Sequence, residues 1–183
     1  MTDSIDFTNQ LSPVTVLQAD TPVASAKQVV ADQQTAFLVI DSANTRTFIS
    51  AEQLADVSSS QIKTLDDLSE QLPPIVAIAS TWSSLSTDQI DNLLQAIEAT
   101  ETSGVLVYRD REVLGILSAK TLADNMPAEV TRVSKGLDGT STVPFRIYSC
   151  QTCGSVRVPA FGGSTPPSCP KDPSHGQMSL ELS

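Results

Sequence analysis

The stretch STDQIDNLLQAIEATETSGVLVYRDREVLGILSAKTLAD, residues 86–124, carries the clearest structural pattern in this chain. Ser86 and Gln89 match a capping box, in which each side chain bonds a backbone N–H at the start of a helix. Apolar residues then follow at the spacing of one helix face: Ile90, Leu93, Leu94 and Ile97. This spacing predicts an amphipathic helix.

Two strands and a short helix are predicted to follow. GVLVY (104–108) and VLGILS (113–118) are apolar runs on either side of the polar turn RDRE, and such runs favour strands. AKTLAD (119–124) is a short helical segment. With the apolar run IVAIA (75–79) ahead of the first helix, the predicted order is β-α-β-β-α.

The same order of elements is predicted earlier in the chain. Thr21 is the expected N-cap of a helix with Pro22 at its first position, where the missing N–H costs nothing. The other elements of this copy are the strands VTVL (14–17), TAFLVID (35–41) and TFIS (47–50) and the short helix AEQLADV (51–57). The copies lie about 68 residues apart, which indicates an internal duplication.

The stretches at 21–56 and 86–124 resemble the paired modules called CBS domains, or Bateman modules. Each shows that family's run of helix, apolar strand, polar turn, strand ending in Ser, and short helix closed by Leu-Ala-Asp. The resemblance implies an α+β fold class with tandem CBS domains, at 11–57 and 73–128, connected by 58–72. It also implies a homodimer through the CBS pair, because paired CBS modules often stack with a second chain.

CBS modules commonly bind adenine nucleotides in the cleft between the paired modules. Their usual signature is Gly-apolar-apolar-Thr/Ser-x-x-Asp, in which the hydroxyl contacts phosphate and the Asp holds the ribose hydroxyls. Ser50 and Ser118 supply the hydroxyl here, but Gln53 and Thr121 stand where the Asp is expected. The resemblance therefore implies a ligand cleft at Ser50, Gln53, Ser118, Lys120 and Thr121, with Lys120 near a phosphate.

The absence of both ribose carboxylates weakens the nucleotide hypothesis. A carboxylate–diol contact is charge-assisted and contributes about 1.5–3 kcal/mol, so its loss lowers affinity roughly ten- to a hundredfold. Gln or Thr can replace part of that contact. Two interpretations stay open: an adenine-nucleotide sensor, and a scaffold that dimerises and presents surfaces to partners.

All three cysteines and the only histidine of the chain lie close together in the sequence. They are spaced as Cys150-x2-Cys153, a loop of fifteen residues, and Cys169-x5-His175. Zn²⁺ in structural sites prefers a closed tetrahedral set of Cys and His ligands, and Cys3His is one such set. Gly154 supplies a tight turn after the first pair, and the loop length matches the spacing between ligand pairs in zinc sites.

This window resembles the small zinc ribbons that include rubredoxin-like modules, which implies a β zinc ribbon over 145–183. FRIYS (145–149), SVRVPAF (155–161) and QMSLEL (177–182) are its expected strands. A segment this short cannot bury an adequate core by itself, so we expect a structural metal to hold it together.

Other roles for these residues fit the pattern less well. A disulfide between Cys150 and Cys153 would leave Cys169 unpaired, and a thioredoxin-type Cys-x-x-Cys would open a helix. Rubredoxin-type iron prefers four thiolates, and catalytic zinc requires an open position and a nearby base. Asp172 is an alternative fourth ligand, but a harder one than His175.

The charge distribution argues against nucleic acid as a partner. Residues 1–140 carry 8 Lys/Arg and 19 Asp/Glu, whereas residues 141–183 carry 3 and 2. An acidic surface repels phosphate backbones and offers no counterion release. A ribbon-mediated nucleic-acid regulator would have to depend on Arg146, Arg157 and Lys171.

The remaining segments bear on localisation and domain limits. MTDSIDFTNQ (1–10) has no basic or apolar signal region, and no apolar run reaches the roughly 18–20 residues of a membrane span. We therefore expect a cytoplasmic protein with no membrane contact. Residues 1–10 are the expected flexible tail, and the Gly-, Ser- and Thr-rich residues 129–144 are the expected linker.

Together these features predict a non-enzymatic regulatory or adaptor protein. A single His that binds metal leaves no hydrolytic triad, and FGGST lacks the Lys of a phosphate-binding loop. The CBS pair is expected to dimerise or to sense a ligand. The zinc ribbon is expected to contact a protein partner through its RVPAFGG edge, which includes Arg157 and Phe161.

Overall fold

The structure is a computed structural model, and it describes residues 4–7, 9–42, 46–58, 61–79, 84–109, 112–126, 147–158 and 166–181. The predicted linker at 129–144, Arg146 and Phe161 lie outside these ranges. The strands are β1 (Ser4–Asp6), β2 (Val14–Gln18), β3 (Phe37–Asp41), β4 (Arg46–Ser50), β5 (Val76–Ala79), β6 (Ser84–Ser86), β7 (Gly104–Arg109), β8 (Glu112–Ser118), β9 (Ile147–Ser149), β10 (Val156–Val158) and β11 (Ser179–Glu181). The helices are α1 (Val23–Gln33), α2 (Ala51–Asp56), α3 (Leu65–Ser69), α4 (Thr87–Thr100) and α5 (Ala119–Asp124), and a 3₁₀ turn covers Pro173–His175.

Two modules of the same layout form the body of the protein, and the fold is mixed α+β. In the first module, β2 pairs with β3 in parallel and β3 pairs with β4 antiparallel. In the second, β5, β7 and β8 repeat this arrangement. The predicted β-α-β-β-α order therefore occurs in both copies.

The two sheets face one another, and helices cover their outer faces. Alternate strand residues of both modules meet in one cluster: Phe37, Val39, Phe48, Ile75, Ala77, Leu106, Tyr108 and Ile116. Their neighbours on each strand point the other way, Leu38 and Ile40 toward the helices of the first module and Val105 and Val107 toward those of the second. Strands buried on both faces explain the continuous apolar runs in the sequence.

Helix α1 begins one residue later than predicted, and no side chain caps its N-terminus. Pro22 is the N-cap in extended conformation. The N–H of Val23 instead donates to the carbonyl of Lys63 at 3.0 Å. The predicted capping role of Thr21 is therefore wrong, because the segment between the modules satisfies the first N–H.

The segment between the modules, predicted only as a polar connection, contains helix α3. Thr64 and Asp67 form a capping box at its start, and hydrogen bonds from Thr64 lower the pKa of the Asp67 carboxyl. Leu65 and Leu68 pack into the core of the first module. The Thr-x-x-Asp pattern of residues 64–67 is the signal that sequence reasoning missed.

The N-terminal residues are not a flexible tail where the structure describes them. Strand β1 pairs antiparallel with β6, with Ile5 opposite Leu85. Phe7 is 4% exposed and belongs to the core of the second module. The prediction of a flexible tail is therefore wrong for residues 4–7, because a paired strand and a buried aromatic ring hold them.

The C-terminal strands extend the sheet of the second module. Strands β9, β10 and β11, here called the C-terminal β unit, add to it through a parallel pairing of β10 with β5. The resulting order is β11-β9-β10-β5-β7-β8. Val156 and Val158 lie opposite Val76 and Ile78 and join the core beneath the helices of the second module.

This pairing corrects one expectation about the C-terminal segment. Arg157 and Val158 were expected at an exposed edge offered to a partner. In the structure they pair with β5 of the same chain, because the three-stranded module leaves the outer edge of β5 open to a further strand.

Helices long and apolar enough to cross a bilayer do not occur among the described residues.

Candidate metal centre

The structure brings the four predicted metal ligands together. The ligand atoms of Cys150, Cys153, Cys169 and His175 all lie within 4.8 Å of one another. Cys150 Sγ is 3.7 Å from His175 Nδ1, and Cys153 Sγ is 3.6 Å from Cys169 Sγ. A tetrahedral Zn²⁺ with bonds of about 2.3 Å to sulfur and 2.0–2.1 Å to nitrogen sets its ligands about 3.6–3.8 Å apart. These two separations match those of a tetrahedral ion of this size.

The first pair of cysteines lies in a tight turn between β9 and β10. The N–H of Gly154 donates to the carbonyl of Cys150 at 2.8 Å, and the N–H of Cys150 donates to the carbonyl of Ser155 at 2.9 Å. Gly154 has a φ of 70°, a value that favours glycine. The turn directs both thiols to the same side.

The second pair repeats the geometry of the first around Cys169. The N–H of Asp172 points at Cys169 Sγ at 3.5 Å, just as the N–H of Cys153 hydrogen-bonds Cys150. Asp172 therefore occupies the position that Cys153 holds in the first turn. His175, three residues further on, places the fourth candidate ligand atom beside the three thiols.

Asp172, the alternative fourth ligand, contacts His175 and is not part of the group of four ligand atoms. Its Oδ1 accepts from the N–H of Ser174 at 2.8 Å and so caps the 3₁₀ turn that carries the histidine. Its Oδ2 lies 3.7 Å from His175 Nε2. A carboxylate behind the second ring nitrogen fixes the orientation of a metal-ligating histidine, so this contact directs Nδ1 toward the cluster.

The thiols differ in how readily they ionise. Burial opposes ionisation of Cys150, but hydrogen bonds from the N–H groups of Cys153 and Thr152 outweigh it and lower its pKa to about 7. Burial raises the pKa of Cys169 to about 12. Because a metal binds the thiolate, a metal ion bound at this cluster would release protons.

A very small core surrounds the cluster. The buried side chains of Tyr148 and Met178 pack against Cys150 and Cys169. The three strands of the C-terminal β unit have three residues each. So small a core contributes little stability, which is the usual reason for a structural metal.

The predicted nucleotide ligands serve as helix caps in the structure. Ser50 and Gln53 form the capping box of α2, and Ser118 Oγ accepts from the N–H of Thr121 at the start of α5. Lys120 is exposed on the first turn of α5. Their role as ligands stays a prediction.

A groove of 440 Å³ lies elsewhere, between α1 and α2. None of the five predicted nucleotide ligands lines it. Lys27 lies at its end and donates to the carbonyls of Ala55 and Val57 at 2.8 and 2.7 Å. This lysine therefore caps the C-terminal end of α2.

Sequence reasoning missed the residues that join the cluster to the modules. Ser155, Lys171 and Tyr108 all make such contacts. Local sequence patterns cannot predict these contacts, because the partners lie far from Ser155 and Lys171 in the sequence.

Comparison with protein-family models and with curated protein sequences finds no match. Among solved structures, the neighbours are CBS-domain pairs. The CBS domains of a transcriptional regulator from Streptococcus pneumoniae are 15% identical, with 67% of this chain and 100% of that chain covered and a TM-score of 0.46. A hemolysin-like protein containing a CBS domain from Oenococcus oeni PSU is 11% identical, with 67% and 90% covered and a TM-score of 0.48.

A third neighbour is the CBS domain pair of protein MJ0100 in complex with 5′-methylthioadenosine and S-adenosyl-L-methionine. It is 19% identical, with 67% of this chain and 95% of that chain covered and a TM-score of 0.48. At these identities and scores, the similarities do not extend to ligands or activity. The chain resembles CBS-domain pairs, and the functional argument below depends on its own residues.

Proposed function

We propose that this chain is a non-enzymatic regulatory or adaptor protein, in which a CBS-type pair carries a structural zinc site. The convergence of three thiols and one imidazole within 4.8 Å carries the proposal. In the zinc ribbon proposed here, the metal holds together a unit whose own core is small. The CBS-type pair supplies dimerisation and ligand sensing.

Zinc is the metal that this donor set favours. Thiolate and imidazole donors in a tetrahedron are typical of structural Zn²⁺, whereas rubredoxin-type iron takes four thiolates. Four protein donors complete the tetrahedron and leave no position for a substrate or water. The site therefore supports a structural role and not metal-assisted hydrolysis.

Native mass spectrometry of protein purified without added metal tests the proposal. We expect a mass excess of one zinc ion per chain, lost on denaturation, and a dimer as the main species. Replacement by Co²⁺ should give the visible absorption of a tetrahedral thiolate site. A folded protein that carries no metal and binds none on addition would contradict the proposal.

Adenine-nucleotide sensing is the second candidate function. Both modules place a serine hydroxyl at the start of a helix after the last strand, at Ser50 and Ser118. These hydroxyls stand at the phosphate-contacting positions of the CBS signature. Both modules lack the carboxylate that would bind the ribose, since Gln53 and Thr121 stand in its place.

Thr121→Asp is expected to raise the affinity for adenosine monophosphate about ten- to a hundredfold, because it restores a charge-assisted contact to a diol. The helix should tolerate the change, since Asp67 occupies the same capping position at the start of α3. Isothermal titration calorimetry of both proteins measures the effect. Gln89→Asp adds the same charge in the capping box of α4 and is the matched control. It should leave the affinity for adenosine monophosphate at the wild-type value. Equal affinities of Thr121→Asp and wild type would count against the predicted cleft.

A further inference from the structure

The Cys3His cluster contacts both modules through residues close to its candidate ligands in the sequence. Ser155 lies two residues after Cys153, and Lys171 lies two residues after Cys169. Each makes hydrogen bonds to a segment outside the C-terminal β unit. The cluster therefore contacts the rest of the protein through both of its turns.

Ser155 connects a ligand to the edge strand of the second module. Its side chain is fully buried, at 0% exposure. Its Oγ accepts from the N–H of Ile75 at 3.2 Å and lies 3.2 Å from Cys153 Sγ. A metal-bound thiolate accepts hydrogen bonds, so the hydroxyl can donate to the sulfur while it accepts from Ile75.

Arg157 ties the second ligand turn to the same sheet. Its guanidinium lies 4.9 Å from the centre of the Tyr108 ring, and its Nε donates to Tyr108 Oη. Its Nη1 donates at 3.1 Å to the carbonyl of Ser168, the residue before Cys169. Arg157 lies opposite Ala77, which faces the first module. The arginine therefore lies on the side of the sheet where the modules meet.

Lys171 reaches the first module. Its carbonyl accepts from the N–H of Arg46, at the start of β4, at 2.6 Å. Its ammonium group donates to the carbonyl of Leu72, just ahead of β5, at 3.0 Å. One residue beside Cys169 thus holds both a strand of the first module and the segment between the modules.

We propose that the Cys3His cluster is a metal-gated clamp on the CBS-type pair. Bound metal holds β10 on the outer edge of β5 and holds the Lys171 turn on β4, and loss of the metal releases both. Strand β10 has only three residues, at the short end of the usual range, so the metal-bound turns add to the burial of Val156 and Val158 in holding it. The inference rests on the metal binding proposed above.

Coupling through the clamp runs in both directions. If metal binding favours one placement of the modules, then a ligand that favours the same placement raises the affinity for the metal. The metal raises the affinity for that ligand by the same factor. The clamp is thus a route by which the modules and the C-terminal β unit can sense one another.

Hydrogen exchange of the full chain, followed by mass spectrometry, tests the clamp. The zinc-loaded protein is compared with protein stripped by a chelator, after native mass spectrometry has established both metal contents. Peptides that cover β5 should exchange at least about tenfold faster once zinc is removed. Peptides that cover β2, the equivalent strand of the first module, are the internal control and should change less than about twofold.

Each other result has a distinct meaning. Unchanged exchange in β5 after verified zinc loss would overturn the clamp. It would not contradict the proposed structural zinc site. An equal rise in β2 and β5 would also overturn it, because that pattern indicates global unfolding. Protein that holds no zinc at the start would overturn the proposed function itself.

Ser155→Ala tests the connection and keeps all four ligands. The variant should retain one zinc per chain, lose it to a chelator roughly ten- to a hundredfold faster, and show faster exchange in β5 while zinc is bound. Ser179→Ala, at an exposed serine of β11, is the matched control and should behave as wild type. Ser155→Ala with wild-type zinc release, or with wild-type protection of β5, would overturn the coupling.

Discussion

Cys169→Ala is expected to abolish stoichiometric zinc binding and to destabilise the C-terminal β unit by several kcal/mol. Cys169 is 1% exposed and lies beside Tyr148 and Met178 in the smallest apolar cluster among the described residues. Structural zinc contributes about 10–16 kcal/mol in isolated zinc-finger peptides, and most of that is used to order the unit. A net loss of about 3–5 kcal/mol is therefore a conservative expectation.

Metal analysis and thermal unfolding, each with and without a chelator, measure this effect. The chelator should lower the unfolding midpoint of the wild type and leave that of Cys169→Ala unchanged. Ser168→Ala, at the exposed neighbouring side chain, is the control, because the carbonyl that binds Arg157 is kept. A Cys169→Ala protein that retains one zinc ion and the wild-type midpoint would contradict the assignment of this ligand.

Phe48→Ala is expected to destabilise the whole body of the protein by about 3–5 kcal/mol. Phe48 is 4% exposed between the two sheets and meets Phe37 edge-to-face with ring centres 6.1 Å apart. Its removal leaves a cavity between the modules that neither sheet can close without moving against the other.

Urea unfolding followed by circular dichroism measures this loss. We expect a single transition with a lower midpoint, because the shared core makes both modules unfold together. Val16→Ala, on the outer strand of the first module and 45% exposed, should change stability by less than about 0.5 kcal/mol. Two separate transitions in Phe48→Ala, with one at the wild-type midpoint, would show that the modules unfold independently.

Local patterns predicted most of the two modules. The capping box at Ser86 and Gln89 and the apolar spacing that follows place α4 as the structure has it. The four candidate ligands were also visible, because the Cys-x2-Cys spacing is a local consequence of tetrahedral coordination. The same kind of signal at Thr64 and Asp67 was present but overlooked.

Contacts between distant segments could not be predicted in this way. Val156 pairs with Val76, and Ser155 accepts a hydrogen bond from Ile75, 80 residues earlier. The local sequence around Val156 and Ser155 does not distinguish them from other valines and serines of the chain. The pairing of β1 with β6 and the burial of Phe7 are similar cases. Such contacts depend on which sheet edge is left open once the modules have formed, and single-segment patterns do not contain that information.

The parallel pairing of β10 with β5 also has a consequence for the order of events on the ribosome. Ile75 is synthesised 80 residues before its partner Ser155, which corresponds to roughly 4–16 s of translation. During that interval the nascent second module can complete its three local strands but leaves one edge unpaired. Cys169 and His175 emerge later still, so the full set of candidate ligands is complete only after β10, the strand that pairs with this edge, has been made.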